Sequence, residues 1–176
     1  MNLHDLVVVA PKQMLLALAG QLDKAVAWGK ENGVSADELL QKRLAPDMFP
    51  LLMQVKFISL QARETVWRLR GDEVVMWESG DTMDEMKALI ARTVSMLDEV
   101  KPEDFDGAED RVLSVTLPNA MMFELEGADF VRDWAIPQFH FHAVTAYAIL
   151  RNAGVDLGKA DYVPHMLPHL RPVTTA

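Results

Sequence analysis

The stretch QFHFHAVTAYAILRNAGVDLGKADY, residues 138–162, decides the reading of this chain. It joins apolar residues at helical spacing to two histidines, a glycine stop at Gly154 and a short polar tail. Upstream the same pattern extends to Asp129, which predicts a helix over 129–153 broken or kinked at Pro137, because proline removes one backbone donor. On a helix, residues four apart share a face and residues two apart point to nearly opposite sides. His140 and His142 therefore do not converge on one ion. The same-face neighbours of His142 are Gln138 and Ala146.

Working outward, three more long helices are expected. Leu6, Val9, Met14, Leu18, Leu22 and Val26 give a helical period over 3–32, with a kink or late start at Pro11 and a stop at Gly33. Leu51, Val55, Ile58, Ala62, Val66 and Leu69 form one face over 51–70, with Lys56, Arg63, Glu64 and Arg70 off it. Met86, Leu89, Ile90, Thr93, Val94 and Leu97 form the apolar face of a helix that begins after Thr82. Two capping boxes, Ser35 with Glu38 and Thr82 with Glu85, mark helix starts; the first opens a short extra helix ending near Lys42. Before the last helix, RVLSVTL (111–117) and MMFEL (121–125) read as a small β-hairpin, with Pro118 and Asn119 at its turn. Apolar stripes on four helices bury one another without a sheet, so the expected fold is an all-α four-helix bundle, one domain over 1–176.

Composition narrows the function. The chain has 176 residues, half of them apolar, a net charge of −9 and no cysteine. Disulfides, thiolate metal sites and cysteine nucleophiles are excluded. The negative charge disfavours nucleic acid. No apolar run reaches the about 20 residues of a membrane span, and His4 and Asp5 interrupt any signal core. A cytoplasmic protein touching neither nucleic acid nor membrane is expected. The carboxylates gather at helix ends and exposed faces. There is no glycine-rich phosphate loop, no G-x-S-x-G and no H-E-x-x-H. His165 and His169 are four apart, but Pro164 and Pro168 prevent a continuous helix there. The methionines and Trp28, Trp67, Trp77 and Trp134 read as packing.

Two segments, LAPDMFPLLMQV (44–55) and FHFHAVTAYAILRNAGVDLGKADY (139–162), resemble a domain-of-unknown-function family of small bacterial proteins. That family is grouped with the DinB/YfiT-like superfamily of four-helix bundles, regarded as metalloenzymes. The resemblance implies a DinB/YfiT-like bundle and a metal site made of one His from the second helix and two, four apart, from the last. Setting the Leu-Arg-x-x-Gly helix exit on Leu150–Gly154 places the paired positions at Gln138 and His142 and the second-helix position near Gln54. Two of the three are then amides, and a neutral amide oxygen is a poor ligand for zinc or nickel.

The expectation is therefore a polar pocket of Gln54, Gln138, His142 and Tyr147 that holds a small molecule, with no cofactor. A divalent metal, zinc or nickel, at His142 is the alternative. Exposed apolar helix surface predicts a homodimer. The leading reading is a small-ligand-binding or interaction protein whose metal site has decayed. The alternatives are a metal-dependent hydrolase or thiol transferase using His142, and metal-free acid–base chemistry by the same residue. Whether the protein is an enzyme stays open at this point. Lys159 and Asp161 read either as exposed tail charges or as part of a segment folded back over the helix end.

Overall fold

A computed structural model describes residues 2–117 and 120–173. The chain order is helix α1 (Ala10–Asn32), α2 (Ala36–Leu40), α3 (Leu51–Arg70), α4 (Met83–Asp98), strands β1 (Val112–Thr116) and β2 (Met122–Glu126), a helical turn α5 (Gly127–Asp129), α6 (Ile136–Asn152) and α7 (Lys159–Tyr162). The long helices α1, α3, α4 and α6 make the bundle. Its core runs through Leu15, Leu22, Ile58, Val66, Leu69, Met86, Ile90, Leu97, Ala146 and Ile149.

Local chemistry sets the helix ends as expected. The Ser35 hydroxyl accepts from Glu38 N–H while the Glu38 carboxylate accepts from Ser35 N–H. Thr82 and Glu85 do the same at α4. Each box satisfies two amides that the helix itself leaves unpaired, a contribution of about 1 kcal/mol. The short helix ends at Leu40, two residues before the expected stop.

The prolines do not break their helices. α1 is preceded by a π-helical turn, Asp5–Val9, and α6 by another, Phe130–Ala135. In the first, Ala10 N–H reaches Asp5 O; in the second, Ile136 N–H reaches Val131 O. Pro11 and Pro137 follow at once, in the first turn of each α-helix. A proline ring clashes with the carbonyl four residues back and offers it no donor. Widening the preceding turn by one residue takes up that misfit while the backbone stays helical on both sides of the junction.

The stretch Asp5–Asn32 is long and apolar enough to cross a bilayer by composition, with mean hydropathy 1.2 in its best window, which corrects the expectation that no segment reaches that threshold. Half of that window is buried in the bundle, the pattern of a core helix.

The hairpin pairs antiparallel, with Thr116 opposite Met122 and Val112 opposite Glu126. Its expected turn at Pro118 and Asn119 lies outside the described residues. Leu113 and Val115 point into the core, whereas Val112 is exposed.

α3 departs most from its sequence reading. It packs chiefly against α6 on one side and α4 on the other. It therefore buries Gln54, Ser59 and Thr65 along with its apolar face, and Arg63, expected outside, is only 3% exposed.

The tail folds back. Gly154 takes φ +101°, and a Cβ there would stand 3.0 Å from the Trp28 ring, so both backbone and neighbour require glycine. Beyond it the chain crosses α1. Lys24 Nζ pairs with the Asp161 carboxylate at 2.7 Å, and Gln21 Nε2 donates to Asp161 O at 3.1 Å. Of the two tail charges, Asp161 is thus engaged and Lys159 is exposed.

Candidate functional site

Gln54 sits one turn into α3, just beyond the connector that carries Phe49 and Pro50. Its Nε2 donates to the Phe49 carbonyl at 3.1 Å. A carbonyl only accepts, so this bond fixes which way the amide faces. Oε1 is turned toward α6, where it lies 2.8 Å from His142 Nδ1. Oε1 also only accepts, so His142 Nδ1 carries the hydrogen and donates. In the neutral ring Nε2 then bears a lone pair. Burial lowers the His142 pKa from its ordinary value, which favours that neutral form.

Aromatic rings surround this pair. The Phe57 ring lies 4.8 Å from the imidazole, Phe141 lies 5.3 Å from it, and Phe49 stacks edge-on to Phe57 at 5.2 Å. Phe49 and Phe141 are exposed, as is Val144 one turn along α6. The polar pair is thus half-buried behind an apolar rim.

Of the other two expected residues, Gln138 lies half-buried one turn before His142 and makes no hydrogen bond to either member of the pair. Tyr147 is elsewhere: its ring packs edge-on to Tyr162 of the returning tail at 5.9 Å. Five residues on a helix turn through about 500°, so Tyr147 emerges well away from His142. His140 faces a separate crevice of about 30 Å³, lined by Leu6, Pro11, Gln61, Thr65 and Ile136, where the two π-turns meet α3. His4, without a near neighbour in sequence, bonds through Nε2 to Val100 O at 3.1 Å. The residues that sequence reasoning missed are Phe49, Phe57 and Phe141. The signal for Phe57 was its spacing of three from Gln54.

The arrangement is that of a DinB-type bundle. A crystal structure of a DinB family member protein from Shewanella denitrificans superposes with a TM-score of 0.84 and 36% identity, covering 92% of this chain and 91% of that one. A family model described as domain of unknown function DUF1993 matches residues 3–163, and the chain belongs to that family. No match was found among curated proteins.

The donor set does not suit the metal that the superfamily implies. The position offers one imidazole and two amides. One amide has its oxygen on the imidazole N–H and its nitrogen on a backbone carbonyl. Among the described residues no three His, Asp or Glu side chains come together at metal-binding spacing. A zinc or nickel site of this kind needs three protein ligands with lone pairs turned inward.

Proposed function

We propose that this chain is a metal-free member of its fold group that binds a small molecule at the His142 edge, behind the rim of Phe49, Phe57 and Phe141. One observation carries the reading: Gln54 Oε1 holds His142 Nδ1 at 2.8 Å, at two positions to which the family resemblance assigns metal ligands. The ligand this suits has an apolar body and one hydrogen-bond donor for Nε2. The same exposed rim supports association of two copies. Elemental analysis of untagged protein, followed by zinc and nickel titration, tests the reading. The expected result is no bound metal and no uptake at micromolar concentration. One metal per chain, lost in His142→Ala, would overturn it and restore a metal-dependent hydrolase or transferase.

A second reading rests on the oriented ring. An imidazole with Nδ1–H fixed by an acceptor and Nε2 unprotonated at neutral pH is equipped to take a proton from a substrate. A rate that falls with the protonation of a single group of depressed pKa, and vanishes in His142→Ala, would support it. Activity retained in that variant would remove it.

A further inference from the structure

α3 carries a second polar intrusion on its other side. Nine residues separate Gln54 from Arg63, about two and a half turns, so the two point in opposite directions. Arg63 is 3% exposed and stacks on Trp77, the ring that also takes Arg92 of α4. Its Nε donates to Ser59 O at 2.9 Å. Among the described residues its Nη1 is buried without a partner, and so is the Ser59 hydroxyl oxygen. Among the described residues Arg63 makes no ion pair. Burial, and then the like charge of Arg92 on α4, lower its pKa to about 10, so it remains a cation at neutral pH.

Buried cations are ordinarily paired, because an unpaired one costs several kcal/mol of lost hydration, an order-of-magnitude figure. Here an indole takes the place of a carboxylate. Trp77 belongs to a strap, residues 72–82, without helix or strand. Its ring centroid is 3.9 Å from Arg63 Cζ and 3.8 Å from Arg92 Cζ, and Trp67 meets it edge-on at 6.0 Å. Cation–π attraction offsets part of the charge but provides no acceptor in the plane of the guanidinium. The nearby acids are otherwise placed. Glu85 is held in the α4 capping box, Asp81 pairs with Lys56 at 2.6 Å, and Glu78 is exposed. A crevice of about 260 Å³ lined by Ser79, Gly80, Leu89 and Arg92, with Glu78 and Glu85 at its walls, opens beside the strap.

We propose that Arg63 and Ser59 form an oxyanion-binding site under the Trp77 indole, which receives the carboxylate or phosphate of a small molecule, with Arg92, stacked on the same ring, drawing the anion in from the adjoining crevice. An oxyanion supplies the two things missing there: a negative charge for the buried Arg63 guanidinium and acceptors for its Nη1 and the Ser59 hydroxyl. The site is independent of the His142 reading, since it lies on the opposite side of α3.

Isothermal titration with inorganic phosphate and with acetate, at constant ionic strength and with chloride as control, tests the proposal alongside tryptophan fluorescence. Saturable binding of at least one oxyanion is expected, with a fluorescence change from Trp77. Binding should weaken about tenfold in Arg92→Gln, the equivalent of one charge-assisted hydrogen bond. It should be lost in Arg63→Met and unchanged in Arg132→Gln, an exposed site elsewhere. Acetate alone would identify a carboxylate ligand, and phosphate alone a phosphate one. A response no greater than that to chloride, or saturable binding that survives in Arg63→Met, would overturn the site. Arg92→Gln keeps the test decisive if Arg63→Met folds poorly.

Discussion

The two faces of α3 treat polar groups in opposite ways. Toward α6, Gln54 is 2% exposed, and both ends of its amide are bonded, to Phe49 O and to His142 Nδ1. Toward α4, Arg63 is equally enclosed, yet one of its nitrogens and the neighbouring Ser59 hydroxyl are left without partners. The first face closes its buried groups on one another and leaves only the half-buried His142 Nε2 open. The second is left open, with a charge in it. The difference shows that the larger unspent bonding capacity of a chain need not lie where its fold group is expected to do chemistry.

Four experiments break or sharpen that contrast. The largest effect is expected from undoing the closed side. Gln54→His combined with Gln138→His adds two imidazoles to that of His142, three in all. Zinc binding should go from none measurable to about micromolar, a binding free energy of roughly −8 kcal/mol, read by calorimetry. No uptake would mean that the backbone has drifted from ligand geometry as well as the side chains. Next comes Gln54→Ala, which strands a buried donor on His142 and an acceptor on Phe49. A loss of about 2–3 kcal/mol in urea unfolding is expected. A loss below about 0.5 kcal/mol would show that water replaces the amide freely.

On the open side the sign should reverse. Arg63→Met removes an unpaired buried charge while keeping most of its volume, and a change between zero and about 1 kcal/mol of added stability is expected by the same measurement. A loss above about 2 kcal/mol would mean that Arg63 is already well compensated by its two indoles. The smallest effect is in pH. Burial lowers the pKa of both His142 and His140 below the unfolded value near 6.5. The unfolded chain therefore binds protons first as pH falls, and their contribution, full above about pH 6.5, is lost as pH drops through the folded pKa. Thermal melts across that range should show a declining midpoint, and His142→Asn should flatten the decline without abolishing it, since His140 remains.

Much of the scaffold was legible because its signals are local. Ser35 with Glu38 and Thr82 with Glu85 carry their own geometry in four residues. The β-branched run at 112–116 reads as a strand whatever surrounds it. The Gln54–His142 pair spans 88 positions, and only resemblance to other chains brought it together. Tyr147 was misplaced by overlooking the phase of the helix, five residues from His142. Arg63 was misread for a deeper reason. Charge argues for the outside only if the helix has an outside at that point, and α3 is flanked on both sides. Nothing within 51–70 announces that second neighbour; it is a property of how α4 returns.

The paired π-turns ahead of Pro11 and Pro137 carry a consequence for comparing this chain with others. Each holds one residue more than an α-turn, so what precedes it is rotated by about 100° relative to an unbroken helix. Leu3, Val7 and Val8, like Phe130 and Val131, reach the core through that phase shift. A relative with an unbroken α-helix in place of one π-turn would have one residue fewer there. An ungapped alignment across the junction would then match inward-facing positions to outward-facing ones.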